Sequence, residues 1–101
     1  MSDVISRRGP MVIRYHARSA FRHGISRERI GYVVEHCGLW LEEPQEGGGD
    51  LVVLLGDDWR GVPLEVVAVE QGGGDLLVIH AMRLRAKYAA AYAEVRPWQR
   101  P

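Results

Sequence analysis

The chain of 101 residues has one cysteine, one lysine, no net charge and no long apolar run. A single cysteine, Cys37, cannot close an internal disulfide, which reads as a reduced, cytoplasmic chain. No apolar run approaches the roughly 18 residues that a membrane span needs. Met1 to Pro10 lacks the apolar core of a signal peptide, so no membrane partner is expected. The four histidines, His16, His23, His36 and His80, form no HExxH or paired Cys-His spacing. Neither a metal nor any other cofactor is therefore expected. Apolar residues make up 47% of the chain, which argues against disorder. The length suits a single domain over 1–101 with its own core, and flexible ends over 1–10 and 96–101.

Charge is present but unevenly distributed. Residues 1–30 hold seven Arg against Asp3 and Glu28, or +5. Residues 31–82 hold Arg60 against ten acids, or −9, and residues 83–101 hold five bases against Glu94, or +4. If the two basic ends meet in the fold, they make a positive patch on a neutral protein. All the bases but Lys87 are Arg, the better fork for phosphate, although compositional bias also produces such a ratio.

Met11 to Tyr15 suits a short strand. His16 to His23 reads as a short helix stopped by Gly24, with Arg18 and Arg22 on its polar side. Ser26 is a good N-cap, and Ile30, Val33, Val34 and Cys37 recur at helical spacing. This predicts a helix over 27–37, stopped by Gly38. Leu39 to Pro44 carries no clear pattern. Glu46-Gly-Gly-Gly-Asp-Leu-Val-Val-Leu54 then returns 25 positions on as Gln71-Gly-Gly-Gly-Asp-Leu-Leu-Val-Ile79. Each glycine run leads into a strand, which favours a hairpin turn over a phosphate-cradling loop. With Pro63 to Glu70 between them, the repeats predict an antiparallel meander. Their near-continuous apolar runs predict two covered faces, one under the helices and one under a partner or a second copy.

Chemistry concentrates between Asp75 and Val95. An apolar strand run, Leu76 to Ile79, gives way to a helical stripe of Leu84, Tyr88, Ala91, Tyr92 and Val95. Arg83, Arg85 and Lys87 crowd the junction, with His80 just before it. Strict alternation puts His80 on a face with Leu76, Val78 and Met82. There it is either a core histidine bonded to backbone or a titrating base beside three cations. Arg83 and Lys87 stand at i and i+4, as do Arg18 and Arg22. Solvated basic faces are the ordinary outcome for such runs, and a phosphate site is the functional one. Tyr88 and Tyr92 read as packing residues and Cys37 as a small buried hydrophobe. Trp59, next to Arg60 in the acidic turn, suits either a partner anchor or a lid on the hairpin.

The element order, the His23-Gly24-Ile25-Ser26 helix entry and the Ile79-His80-Ala81-Met82 end of the last strand resemble the BrnT-like toxins. Those belong to the RelE/ParE superfamily of type II toxin–antitoxin systems. The resemblance spans about Arg14 to Glu94 and includes the basic residues Arg83 and Lys87 before Tyr92. His80 stands where the family has Ser, and Met82 where it has Arg, with Arg83 one step on.

The resulting expectation is an α+β fold: an antiparallel sheet of three to four strands, two N-terminal helices and one C-terminal helix. The resemblance implies a ribonuclease that cleaves mRNA and arrests growth, with a cognate antitoxin and mRNA or the ribosome as partners. His80 and Arg83 are the expected catalytic pair. Arg85, Lys87, Arg60, Arg18 and Arg22 are expected to hold RNA. The alternative is a non-catalytic interaction module, such as a homodimer.

Overall fold

The sheet is built from β1 (Ile13–Tyr15), β2 (Trp40–Pro44), β3 (Asp50–Asp57), β4 (Pro63–Glu70) and β5 (Leu76–Arg83), in the order β1-β5-β4-β3-β2. This is a computed structural model, and it describes residues 12–37, 40–44 and 50–95. Strands β2 to β5 run antiparallel as a meander, each beside its chain neighbour. β1 alone is parallel, paired with the start of β5 from Ile13↔Leu76 to Tyr15↔Val78. Val12 N donates to Asp75 Oδ1 at 3.1 Å, and Leu76 N donates to Val12 O at 3.0 Å.

Each face carries a helix. α1 (Arg27–His36) begins at Ser26, whose hydroxyl accepts from Arg29 N. It buries Ile30, Val33 and Val34 against Val52, Leu54, Leu64 and Val66. On the other face Val53, Leu55 and Val67 lie under Tyr88, flanked by Leu84, Ala91 and Tyr92. These come from the link after β5, a 3-10 turn at Ala86–Tyr88 and α2 (Ala89–Val95). A seven-residue helix is marginal on its own, as isolated helices below about 12 residues are. Burial of its apolar stripe, at about 1.5–3 kcal/mol for each fully buried large side chain, holds it on the sheet.

This architecture overturns the expected antiparallel sheet of three to four strands with two N-terminal helices. The sheet has five strands and is mixed. β2 forms in the segment that carried no sequence pattern, because β3 supplies the backbone partners. Of the N-terminal helical segments, only Arg27–His36 forms an α-helix. His16 to His23 holds a single 3-10 turn at Ser19–Phe21 with no side-chain cap. Ala20 is its one fully buried residue, too little apolar area to sustain a longer helix. Among the described residues, α1 packs on one sheet face and the segment from Leu84 through α2 on the other. At Gly72–Gly74 the second glycine run is a turn, with Gly73 at φ +83° and Gly74 at +87°, conformations that favour glycine. The first glycine run and the two chain ends lie outside the described residues.

Candidate active site

Alternation along β4 sends Leu64 and Val66 to the α1 face and Glu65 and Val67 to the α2 face. A carboxylate is thus carried into the interior, and its side chain is 0% exposed. Such a group must find donors or charge compensation. Glu65 Oε1 accepts from Arg85 N at 2.9 Å. Glu65 Oε2 accepts from Arg85 Nε at 2.8 Å, and Arg85 Nη2 lies 2.6 Å from the same oxygen. His80 Nε2 lies 3.1 Å from it as well. Burial pushes the Glu65 carboxyl up, but the hydrogen bonds from Arg85 and His80 outweigh it and hold the pKa below its ordinary value. The carboxylate in turn raises the Arg85 pKa, chiefly through its hydrogen bond.

Ionisation of Glu65 decides the tautomer of His80. A carboxylate has no proton to give, so Nε2 carries the hydrogen of the shared bond, and in the neutral ring Nδ1 is the acceptor. The His80 side chain is 23% exposed and that of Arg85 44%. Both reach solvent while their inner ends are fixed on a buried anion. Two Arg85 nitrogens, Nε and Nη2, go to Glu65.

A β-bulge delivers His80 to this place. Val67 pairs with His80 and Ala68 with Val78, so Ile79 is an extra residue in β5. The bulge moves His80 off the face of Leu76 and Val78, where strict alternation had placed it. It puts His80 and Met82 beside Val67 and Glu65. Tyr88 closes the inner side: its hydroxyl donates to Glu43 Oε2 at 2.9 Å. Burial first, and the bond to Glu43 second, push the Tyr88 phenol up to about 12.

The expected partner of His80 goes elsewhere. Arg83 is still in the strand, pairs with Leu64 and follows the α1-face alternation, opposite His80. Since α2 starts only at Ala89, Arg83 and Lys87 do not share a helix face. Lys87 is exposed, with Nζ 5.0 Å from the Tyr88 ring centroid. Arg18 and Arg22 are exposed and bound the 3-10 turn that packs against β5. Arg60 is 60% exposed beside Asp58, its Nε 3.9 Å from Oδ2. Trp59 is 53% exposed and meets the Tyr32 ring of α1 edge-on at 5.8 Å.

Glu65 escaped the sequence reading. Its signal was an acid inside the apolar strand run Leu64-Glu65-Val66-Val67. A second buried carboxylate, Asp58, closes the β3–β4 turn. Its Oδ1 accepts from Arg60 N at 2.8 Å and Val62 N at 3.0 Å, and its Oδ2 from Arg29 Nε at 2.7 Å. Burial raises the Asp58 pKa, and these donors more than reverse that and hold it low. Its side chain is 0% exposed, so it braces the turn and meets no ligand. Among the described residues no three His, Cys, Asp or Glu side chains gather as metal ligands do. Among them, too, no helix is long and apolar enough to cross a membrane. Comparison with family models, curated proteins and solved structures found no match.

Proposed function

We propose that this protein is a ribonuclease acting on mRNA, the toxin of a toxin–antitoxin pair working in the cytoplasm. The observation that supports phosphodiester chemistry is the convergence of His80 and Arg85 on one buried oxygen of Glu65. RNA carries its own nucleophile in the 2′-hydroxyl. The protein has to supply a base, an acid for the leaving oxygen and positive charge around the phosphate. His80 Nδ1 is the base. Arg85 takes the role first given to Arg83 and stabilises the added charge on phosphorus. Glu65 is a positioning residue, since its buried carboxylate orients both groups. Lys87, Arg83, Arg60, Arg18 and Arg22 are exposed cations that draw the RNA backbone to the molecule. The toxin assignment itself rests on the resemblance to BrnT-like toxins.

The test is cleavage of mRNA, with and without ribosomes, by purified protein and by His80→Gln. Glutamine keeps a donor for Glu65 and cannot act as a base. The expected result is cleavage by the parent, none by the variant, and equal thermal melts. Expression in a bacterium should arrest growth unless a partner antitoxin is co-expressed. A parent that leaves both forms of mRNA intact refutes the reading.

The second reading, a non-catalytic interaction module, is favoured by β2. Among the described residues it is the last strand of the sheet and is paired on one side, so it can accept a strand from an antitoxin or from a second copy.

A further inference from the structure

His23 meets His80 edge to face, with ring centroids 5.4 Å apart and an interplanar angle of 68°. Resting on the ribonuclease reading above, we propose that His23 is a second catalytic residue, the general acid that protonates the leaving 5′ oxygen of RNA.

The fold brings the two rings together from distant parts of the chain. His80 is fixed by the sheet and Glu65. His23 follows the 3-10 turn Ser19–Phe21, which packs against β5. The turn is closed by Gly24 N donating to Phe21 O at 3.1 Å, and Gly24 itself has φ +79°. One histidine is therefore anchored and the other sits exposed on a turn. An exposed side chain changes rotamer in about picoseconds to nanoseconds, so His23 opens to admit a phosphate beside His80. Among the described residues, Glu65 and Arg85 lie at the His80 side, and Arg22 precedes His23 in the chain.

Two histidines complete the proton balance that His80 alone leaves open. His80 Nδ1 takes the proton of the 2′-hydroxyl. The 2′ oxygen forms a bond to phosphorus while the bond from phosphorus to the 5′ oxygen breaks. The electron pair of that bond stays on the 5′ oxygen, which takes a proton from the His23 imidazolium. The products are a 2′,3′-cyclic phosphate and a 5′-hydroxyl. The two imidazoles end with exchanged protonation states and are reset by water. Arg85 remains charged throughout and faces the phosphate oxygens.

A chimeric DNA strand with one ribonucleotide tests this, because it has one cleavable link. Two versions are needed, with oxygen or with sulfur as the leaving atom. Sulfur leaves as a thiolate and needs no acid. On the oxygen substrate His23→Gln should be slower than the parent by about 10²–10⁴-fold, the usual worth of a general acid. On the sulfur substrate it should approach the parent rate, while His80→Gln stays slow on both. On mRNA the parent should show a bell-shaped pH–rate profile, and His23→Gln should lack the fall on the alkaline side. Equal losses on the two substrates, or an unchanged pH profile on mRNA, overturn the role of His23 and leave the ribonuclease reading standing. A parent inactive on every RNA overturns both.

Discussion

His80 and Arg85 meet on a single atom, the Oε2 of Glu65, at 3.1 Å for His80 Nε2 and 2.8 Å for Arg85 Nε. One buried oxygen thus holds an imidazole and a guanidinium in fixed orientations. Arg85→Lys keeps a positive charge and loses the fork that grips Glu65 with two nitrogens. RNA cleavage should fall by about 10²–10³-fold in kcat, the usual cost of one charge-stabilising group. Single-turnover cleavage with saturating protein measures it.

Arg83→Ala should behave differently, because Arg83 lies on the α1 side of the sheet. On the proposed function its charge should act on RNA affinity and not on the chemical step. The slope of log affinity against log salt should shrink by about 0.7, one phosphate contact on a single strand. Fluorescence anisotropy with labelled RNA over a salt series reads this. A fall in kcat at saturating RNA would return Arg83 to the catalytic centre.

Glu65→Gln should destabilise the protein by about 2 kcal/mol, within the range for leaving buried donors unsatisfied. Arg85 is 44% exposed and turns to water, which keeps the loss below that of a stranded buried charge. The parent should also lose stability in acid. Glu65 and Asp58 have folded pKa values below their ordinary ones. Their unfolded values are about 4.3 and 3.9, so the stability they contribute is complete above that range and is lost as pH falls through the lower folded values. Denaturant melts from pH 7 down to pH 2 should show the decline, with a shallower acid slope in Glu65→Gln.

Tyr88→Phe removes the donor to Glu43 and should cost about 1.5–3 kcal/mol, as hydrogen bonds to charged groups do. The phenol is raised to about 12 in the folded state. A raised value means its stability is complete below the unfolded pKa of about 10 and is lost as pH rises through the folded one. The parent should therefore weaken from pH 10 to 12, and Tyr88→Phe should lack that part of the slope. Hydrogen exchange should quicken in β2 and α2 together, because the bond ties β2 to the turn before α2.

Gly24→Ala should destabilise by about 1–2 kcal/mol, the cost of a left-handed conformation with a Cβ. A Cβ there meets no atom within 4 Å, so the loss is backbone strain alone. Since Gly24 closes the turn that presents His23, the same variant should slow cleavage of the oxygen substrate more than that of the sulfur substrate.

Local patterns carried part of this protein. The helix at Arg27–His36 follows from Ser26, whose hydroxyl takes Arg29 N at 3.2 Å, and from the stripe Ile30, Val33 and Val34. The turn at Gly72–Gly74 follows from residues that tolerate positive φ. The stripe Leu84, Tyr88, Ala91 and Tyr92 found its sheet face. His80 stands out in the sequence as a residue able to do chemistry, but with Arg83 as its expected partner and Arg85 only as an RNA contact. Each of these depends on neighbours within a turn or two of chain. The rest depended on distant partners. β1 exists because Val12 reaches Asp75, 63 positions away. β2 exists because β3 offers it an edge. The bulge at Ile79 reversed the face of His80, and no alternation rule announces one extra residue. Glu65 became the centre of the site only when Arg85, 20 positions on, folded back over it. A buried charge is tolerable only with its partners in place, and only the tertiary structure supplies them.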